Sequence, residues 1–253
     1  MDQALEPAIR PRKVIVGSVV VMAVIAALVL ILEGRHTGVS KTAHKARKPA
    51  AHSAGRGVFD SFRRADSAST LGVADNGSTW TAVSGAWGIQ RNTAYVAAPA
   101  QARNVAFVDM GGKDGFVQVT ASVVKPGAGL LLRYQNPSNY LALVAVPKYG
   151  TWNLQRVLNG KEDVIGNMGL AAIRDGTVIS VRLDGPTAEV SIDNVRLKSF
   201  AVPDVRGATG AGLIAIGDQA GAARWRDFVG TPLTSPQTSS APPGTQPPAA
   251  AKP

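Results

Sequence analysis

The chain has 253 residues, three histidines, no cysteine and a formal net charge of +10. Without cysteine neither a disulfide framework nor a thiolate metal site can form. His36, His44 and His52 share one low-complexity stretch, which argues against histidine chemistry in a folded core. The charge is unevenly spread. Residues 1–57 hold nine Lys/Arg against three Asp/Glu, whereas 58–229 hold seventeen against fourteen. Basicity gathered beside an apolar segment fits an anionic lipid or wall polymer better than nucleic acid, and no nucleic-acid partner is expected.

Residues 1–13 form a short N-terminal tail. Residues 14–32, VIVGSVVVMAVIAALVLIL, are nineteen residues without a charge. As a helix they span roughly 28 Å, about the thickness of a bilayer's hydrocarbon core. A cleaved signal peptide usually has a shorter apolar core followed at once by small residues. Here Glu33, Gly34 and Arg35 follow. The expectation is one N-terminal transmembrane helix acting as an uncleaved signal-anchor. Lys and Arg are denser after this segment than before it, which by the positive-inside rule opposes an external domain. The external, cell-membrane placement is nonetheless preferred, because the fold argued below is mostly an extracellular one.

Residues 33–57 are rich in Ala, Lys, His, Arg, Gly and Ser and read as a basic, flexible linker. From 58 to 230 the pattern changes to short alternating runs punctuated by Gly, Asn, Asp and Pro. In GFVQVTASVV, Val117, Val119, Ala121 and Val123 share one face, opposite Gln118, Thr120 and Ser122. Ile179, Val181 and Leu183 repeat the pattern, as do Val190 and Ile192. LDGPT between them is a turn. GLLLRYQNPSNYLALVAV, residues 129–146, is two apolar strands around a polar QNPSN turn. Strands at this spacing predict an all-β sandwich of two antiparallel sheets with twelve to fourteen strands. Residues 231–253 are Pro/Ser/Thr/Ala-rich and read as a disordered tail.

Several pieces, in order, carry a resemblance: VFDSFRRADSASTLG, STWTAVSGAWGIQRNTAYV, GLLLRYQNPSNYLAL, DGTVISVRLDGPTAEVSIDN and GAGLIAIGDQAGAARWRDFV. Together they resemble the concanavalin A-like lectin/glucanase superfamily, in particular its laminin G-like bacterial branch, over essentially all of 58–229. The resemblance implies a jelly-roll sandwich whose first and last strands pair. It makes Trp80, Trp87 and Phe228 packing residues.

Glucanases of that superfamily carry an E-x-D-x-E strand, which is missing here. Glu189 and Asp193 lie four residues apart, about 13 Å along a strand, whereas retaining hydrolysis needs carboxyls about 5 Å apart. No enzyme activity is therefore expected. Asp75, Asn76, Asp109 and Asp114 offer oxygens for Ca²⁺, but turn-forming roles account for them and no cofactor is expected.

Sugar binding needs an aromatic face and a few planar polar groups. Arg133, Tyr140, Tyr149, Trp152, Asn153 and Gln155 are the candidate ligand-binding residues. In the competing reading Tyr140 and Trp152 pack in the core and Arg133 is a solvated strand residue. The expected function is a membrane-anchored, non-catalytic binding module for carbohydrate or an anionic envelope polymer. The alternative is a module that docks envelope proteins, and a glycoside hydrolase ranks third.

Overall fold

The computed structural model describes residues 57–100, 102–171, 173–202 and 208–233. The anchor expected over 14–32, all but Gly57 of the linker, and most of the expected tail lie outside the described residues. No helix among the described residues is long and apolar enough to cross a membrane.

Fifteen strands occupy the described residues, one more than the upper bound expected. They are β1 (Val58–Asp60), β2 (Thr81–Ser84), β3 (Ala86–Gln90), β4 (Thr93–Ala98), β5 (Arg103–Asp109), β6 (Gly115–Val123), β7 (Gly129–Asn136) and β8 (Asn139–Val146). They continue as β9 (Thr151–Leu158), β10 (Lys161–Asn167), β11 (Thr177–Asp184), β12 (Thr187–Ile192), β13 (Val195–Ala201), β14 (Gly210–Ile216) and β15 (Arg224–Pro232). One sheet runs β13-β12-β11-β6-β15-β4-β3, with β1 added to β15. The other runs β10-β9-β8-β7-β14-β5-β2. The pairings are antiparallel throughout, and the two sheets form a jelly-roll-like sandwich.

The core lies between the sheets and follows the period of two. Val117, Val119 and Ala121 of β6, Ile179, Val181 and Leu183 of β11, and Val190 and Ile192 of β12 are all buried on it. Five aromatic rings pack within it in two groups. Trp87 and Trp225 rings lie 5.4 Å apart, and Trp80 sits 5.6 Å from Phe62 and 5.0 Å from Phe228. Trp80, Trp87 and Phe228 are thus packing residues.

First and last strands pair, with Val58 opposite Gly230 and Asp60 opposite Phe228. Asp60 is fully buried and its carboxylate is the knot of this edge. It accepts from Trp80 Nε1 at 2.7 Å, from Arg64 Nη1 and Nη2 at 2.8 and 2.9 Å, and from the Phe62 backbone N–H at 2.8 Å. Four donors around one carboxylate satisfy a charge that could not otherwise be buried.

The β7–β8 hairpin turns at Pro137 and Ser138. Asn136 Oδ1 accepts from the Ser138 backbone and from Asn139 Nδ2, so the Asn residues cap the two strand ends. One feature departs from simple alternation. Arg133 has φ +43° and sits in a bulge, where pairing slips between Leu132 and Asn136. An extra residue at that point sends Tyr134 to the face that Leu131 occupies.

Candidate functional site

The outer face of the seven-stranded sheet is apolar. Side chains alternate away from the core at Val105 and Phe107 of β5, Ile214 and Ile216 of β14, Leu131 and Tyr134 of β7, Tyr140, Ala142 and Val144 of β8, and Val157 of β9. They form a second cluster separate from the core. Its rings run across the sheet, with Phe107 and Tyr134 4.8 Å apart and Tyr134 and Tyr140 6.1 Å apart.

This face is curved into a trough. Arg103 begins β5 and Glu162 lies on β10, five strands away in the sheet order. Five ladder steps of about 4.8 Å make about 24 Å, farther than these two side chains could bridge across a flat sheet. Yet the Arg103 guanidinium and the Glu162 carboxylate form an ion pair. The pair spans the trough as a clasp. At Gly212 a Cβ would meet Ala106 O at 2.1 Å, so β14 and β5 approach there more closely than any side chain allows.

Under the clasp two buried polar atoms, Arg103 Nε and Tyr140 Oη, have no hydrogen-bond partner among the described residues. Beside it opens a cleft of about 310 Å³, with Val144, Ile216 and Pro147 as apolar wall and Gln155, Glu162 and Lys148 as polar rim. Burial raises the ionisation of the Tyr140 phenol above the ordinary value of 10.0, a shift partly offset by the Arg103 cation. Burial and Tyr140 together raise Tyr134 in the same way. The unfolded chain therefore loses these protons first. Stability is expected to be full below pH about 10 and to fall as pH rises through the folded-state values. Alkaline denaturation monitored by tryptophan fluorescence checks this, since Tyr134→Phe with Tyr140→Phe should flatten the fall.

The six residues expected from sequence divide. Tyr140, Asn153 and Gln155 do share the outer face of the seven-stranded sheet. Asn153 is held by Asn167, whose Nδ2 donates to Asn153 Oδ1 at 2.8 Å, and Gln155 lines the cleft. Tyr149 lies in the short 3-10 turn Pro147–Tyr149, exposed, with Lys148 Nζ 5.5 Å from its ring centre.

Two positions are corrected. Trp152 is fully buried among the core residues, because its side of β9 is the side of Leu154. Arg133 is 1% exposed, so neither the binding nor the solvated reading describes it. Its left-handed backbone turns the side chain to the end of the sandwich. There Nε donates to Lys113 O at 3.1 Å, while Nη2 donates to Asp114 Oδ1 and to Gly185 O, both at 2.6 Å. Gly185 belongs to the β11–β12 turn of the eight-stranded sheet, so Arg133 ties the two sheets together.

Arg103, Glu162, Tyr134 and Phe107 are not among the six candidates expected from the sequence. The alternation of Arg103, Val105 and Phe107 in RNVAFVD carries the signal for one side of the trough. The bulge hid Tyr134, and nothing local pairs Arg103 with Glu162.

Glu189 and Asp193 each have a basic partner. Glu189 pairs with Arg196 at 3.0 Å, and Asp193 accepts from Arg174 at 2.8 Å and from the Val178 backbone at 2.9 Å. Asp109 accepts from Gly111 N, Asp75 from Ser61 N, and Asp114 from Arg133. No group of three or more His, Cys, Asp or Glu comes together among the described residues.

No protein-family model matches the chain, and no curated protein matches it. Among solved structures it is similar to a carbohydrate-binding module from Bacillus subtilis, at 15% identity and a TM-score of 0.47 over 58% of this chain and 91% of that one. It is similar to the catalytic domain of an endo-1,3-beta-glucanase (laminarinase) from Thermotoga petrophila, at 11% and 0.43 over 68% and 94%. It is also similar to a galectin from Caenorhabditis elegans, at 10% and 0.38 over 47% and 84%. At these identities and scores the likeness bears on neither ligand nor activity.

Proposed function

We propose that the sandwich is a non-catalytic glycan-binding module of laminin G-like type. In this reading residues 14–32 hold it at the membrane with the sandwich outside the cytoplasm. The observation that carries the binding reading is the trough of the seven-stranded sheet. A pyranose has an apolar face and a rim of hydroxyls. The trough offers the complement: an apolar wall at Val144 and Ile216, the amide of Gln155 at the rim, and two buried polar atoms, Tyr140 Oη and Arg103 Nε, without partners among the described residues. Unmade hydrogen bonds of that kind are costly until a ligand makes them. A sugar entering the trough takes over the groups now joined in the Arg103–Glu162 clasp.

The test is binding of the full chain in detergent to a glycan array, followed by titration of the best glycan. Tyr140→Phe and Gln155→Ala should each weaken binding about tenfold, equal to about 1.4 kcal/mol and in the range of one good hydrogen bond. The same samples should release no reducing sugar. Release that disappears in Glu162→Gln would establish a hydrolase instead. Absence of glycan binding, or binding indifferent to both substitutions, would remove the trough as the site.

A further inference from the structure

The outer face of the eight-stranded sheet, on the other side of the core, holds a polar cleft of about 500 Å³. Five separate segments build it, one of them through Gly176, just before β11. Ser61 and Arg63 follow β1, Arg91 and Asn92 form the β3–β4 turn, Ser122 lies near the end of β6, and Arg226 lies on β15. Asp227 and Thr93 complete its polar lining.

The backbone holds these side chains in unusual positions. Gln90 pairs with Thr93, leaving a two-residue turn in which Arg91 has φ +51° and Asn92 +59°. Such a turn favours Asn and Gly, and an arginine in it stands in a place where other residues fit with less steric cost. Asp227, at φ +54°, sits in a bulge where β15 slips against β6 between Arg226 and Val229. Bulges re-aim side chains, and left-handed non-glycine residues gather at functional sites.

The charges do not cancel. Arg226 Nε lies 3.6 Å from Asp227. The guanidinium groups of Arg63 and Arg91 have no hydrogen bond or ion pair among the described residues; there the two arginines donate only through their backbone N–H groups, to Ser61 Oγ and Asp66 Oδ1. Ser122 Oγ is buried at the cleft and has no hydrogen-bond partner among the described residues. The pKa of neighbouring Arg224 is lowered mainly by burial, raised in part by Tyr95 and lowered a little further by the Arg91 charge. One carboxylate thus faces three guanidinium groups in a recess large enough for more than a bare anion.

We propose that this cleft is a second binding site, distinct from the trough, and that it takes an acidic saccharide. Arg63 and Arg91 receive the acidic group, because planar guanidinium forks match carboxylate, phosphate and sulfate oxygens. Ser122, Asn92 and Ser61 face the sugar hydroxyls. The ligand class is a sugar bearing one acidic substituent per residue or per repeat.

The test titrates the full chain in detergent with three acidic probes: oligogalacturonate, a sulfated oligosaccharide and a sugar phosphate. Methyl-esterified oligogalacturonate and inorganic phosphate are the comparisons. At least one acidic saccharide should bind. Its affinity should fall at least tenfold in Arg63→Ala and in Arg91→Ala, and should fall with rising salt. Ser122→Ala should weaken it while leaving the effect of salt unchanged. Gln155→Ala, in the trough, should leave it untouched, so failure here and failure of the trough are distinguishable. The proposal is overturned if none of the three acidic saccharides binds, if the ester binds as well as the acid, or if the double variant of Arg63 and Arg91 binds normally. Inorganic phosphate binding as tightly as the saccharides would overturn the sugar part by showing a simple anion site.

Discussion

Replacing Asp60 by alanine is expected to lower the stability of the sandwich by about 4 kcal/mol, the range for breaking a buried ion pair by removing one partner. Asp60 is fully buried, whereas its partner Arg64 keeps some solvent contact. Its loss takes the acceptor from the Trp80 indole, Arg64 Nη1 and the Phe62 amide, while Arg64 Nη2 keeps only its bond to Leu71 O. Phe62 also sits at φ +57°, a conformation the Asp60 hydrogen bond helps to hold. All four tryptophans belong to the buried aromatic core, so denaturant unfolding followed by their fluorescence reports on the sandwich. Asp60→Asn should cost less, because one oxygen still accepts. Arg174→Ala breaks a mostly exposed pair with Asp193 and serves as control, with an expected cost below about 1 kcal/mol. Equal losses in Asp60→Ala and Arg174→Ala would show that the Asp60 knot is not what holds the edge.

Arg133→Ala should cost a similar amount, about 4 kcal/mol, for a related reason. The side chain is wholly enclosed and holds two backbone carbonyls and Asp114, which come from the β5–β6 and β11–β12 connections. Without it, Lys113 O and Gly185 O lose a donor and the sheets lose a tie at that end. Arg133→Lys should recover only part of the loss, since one ammonium cannot reproduce the planar fork. Glycan affinity of the protein that remains folded should be unchanged. A weakened affinity without a lowered unfolding midpoint would return Arg133 to the list of ligand contacts.

The alternating runs were sufficient for the sandwich. TVISVRLDG reads correctly onto β11, and GFVQVTASVV reads correctly onto β6 as far as Ala121; beyond it the pairing with β15 slips at Ser122 and Val123, expected on the core face, is only partly buried. The pairing of the two end strands was legible from VFDSF and RWRDFV together. Period-two reasoning failed where the backbone broke the period. Arg133 at φ +43° shifts its strand by one residue, and no local pattern announces a bulge. Sites assembled over long separations were also invisible. Arg63, Arg91 and Arg226 meet because a hairpin turn, a strand end and a bulge converge. Arg103 and Glu162 meet only because the sheet between them bends.

The three-residue pairing of β1 with β15 has a mechanical consequence. Val58 lies opposite Gly230, so the polypeptide enters and leaves the sandwich at neighbouring points. A module with this geometry adds little length to the chain that carries it and can be spliced in or out without re-spacing its flanks. Tension applied through those flanks would load the end pair first and open the ladder one rung at a time. The Val58–Gly230 rung would part first and the Asp60–Phe228 rung last, so the same carboxylate that secures the edge at rest would also set the force at which β1 pulls free.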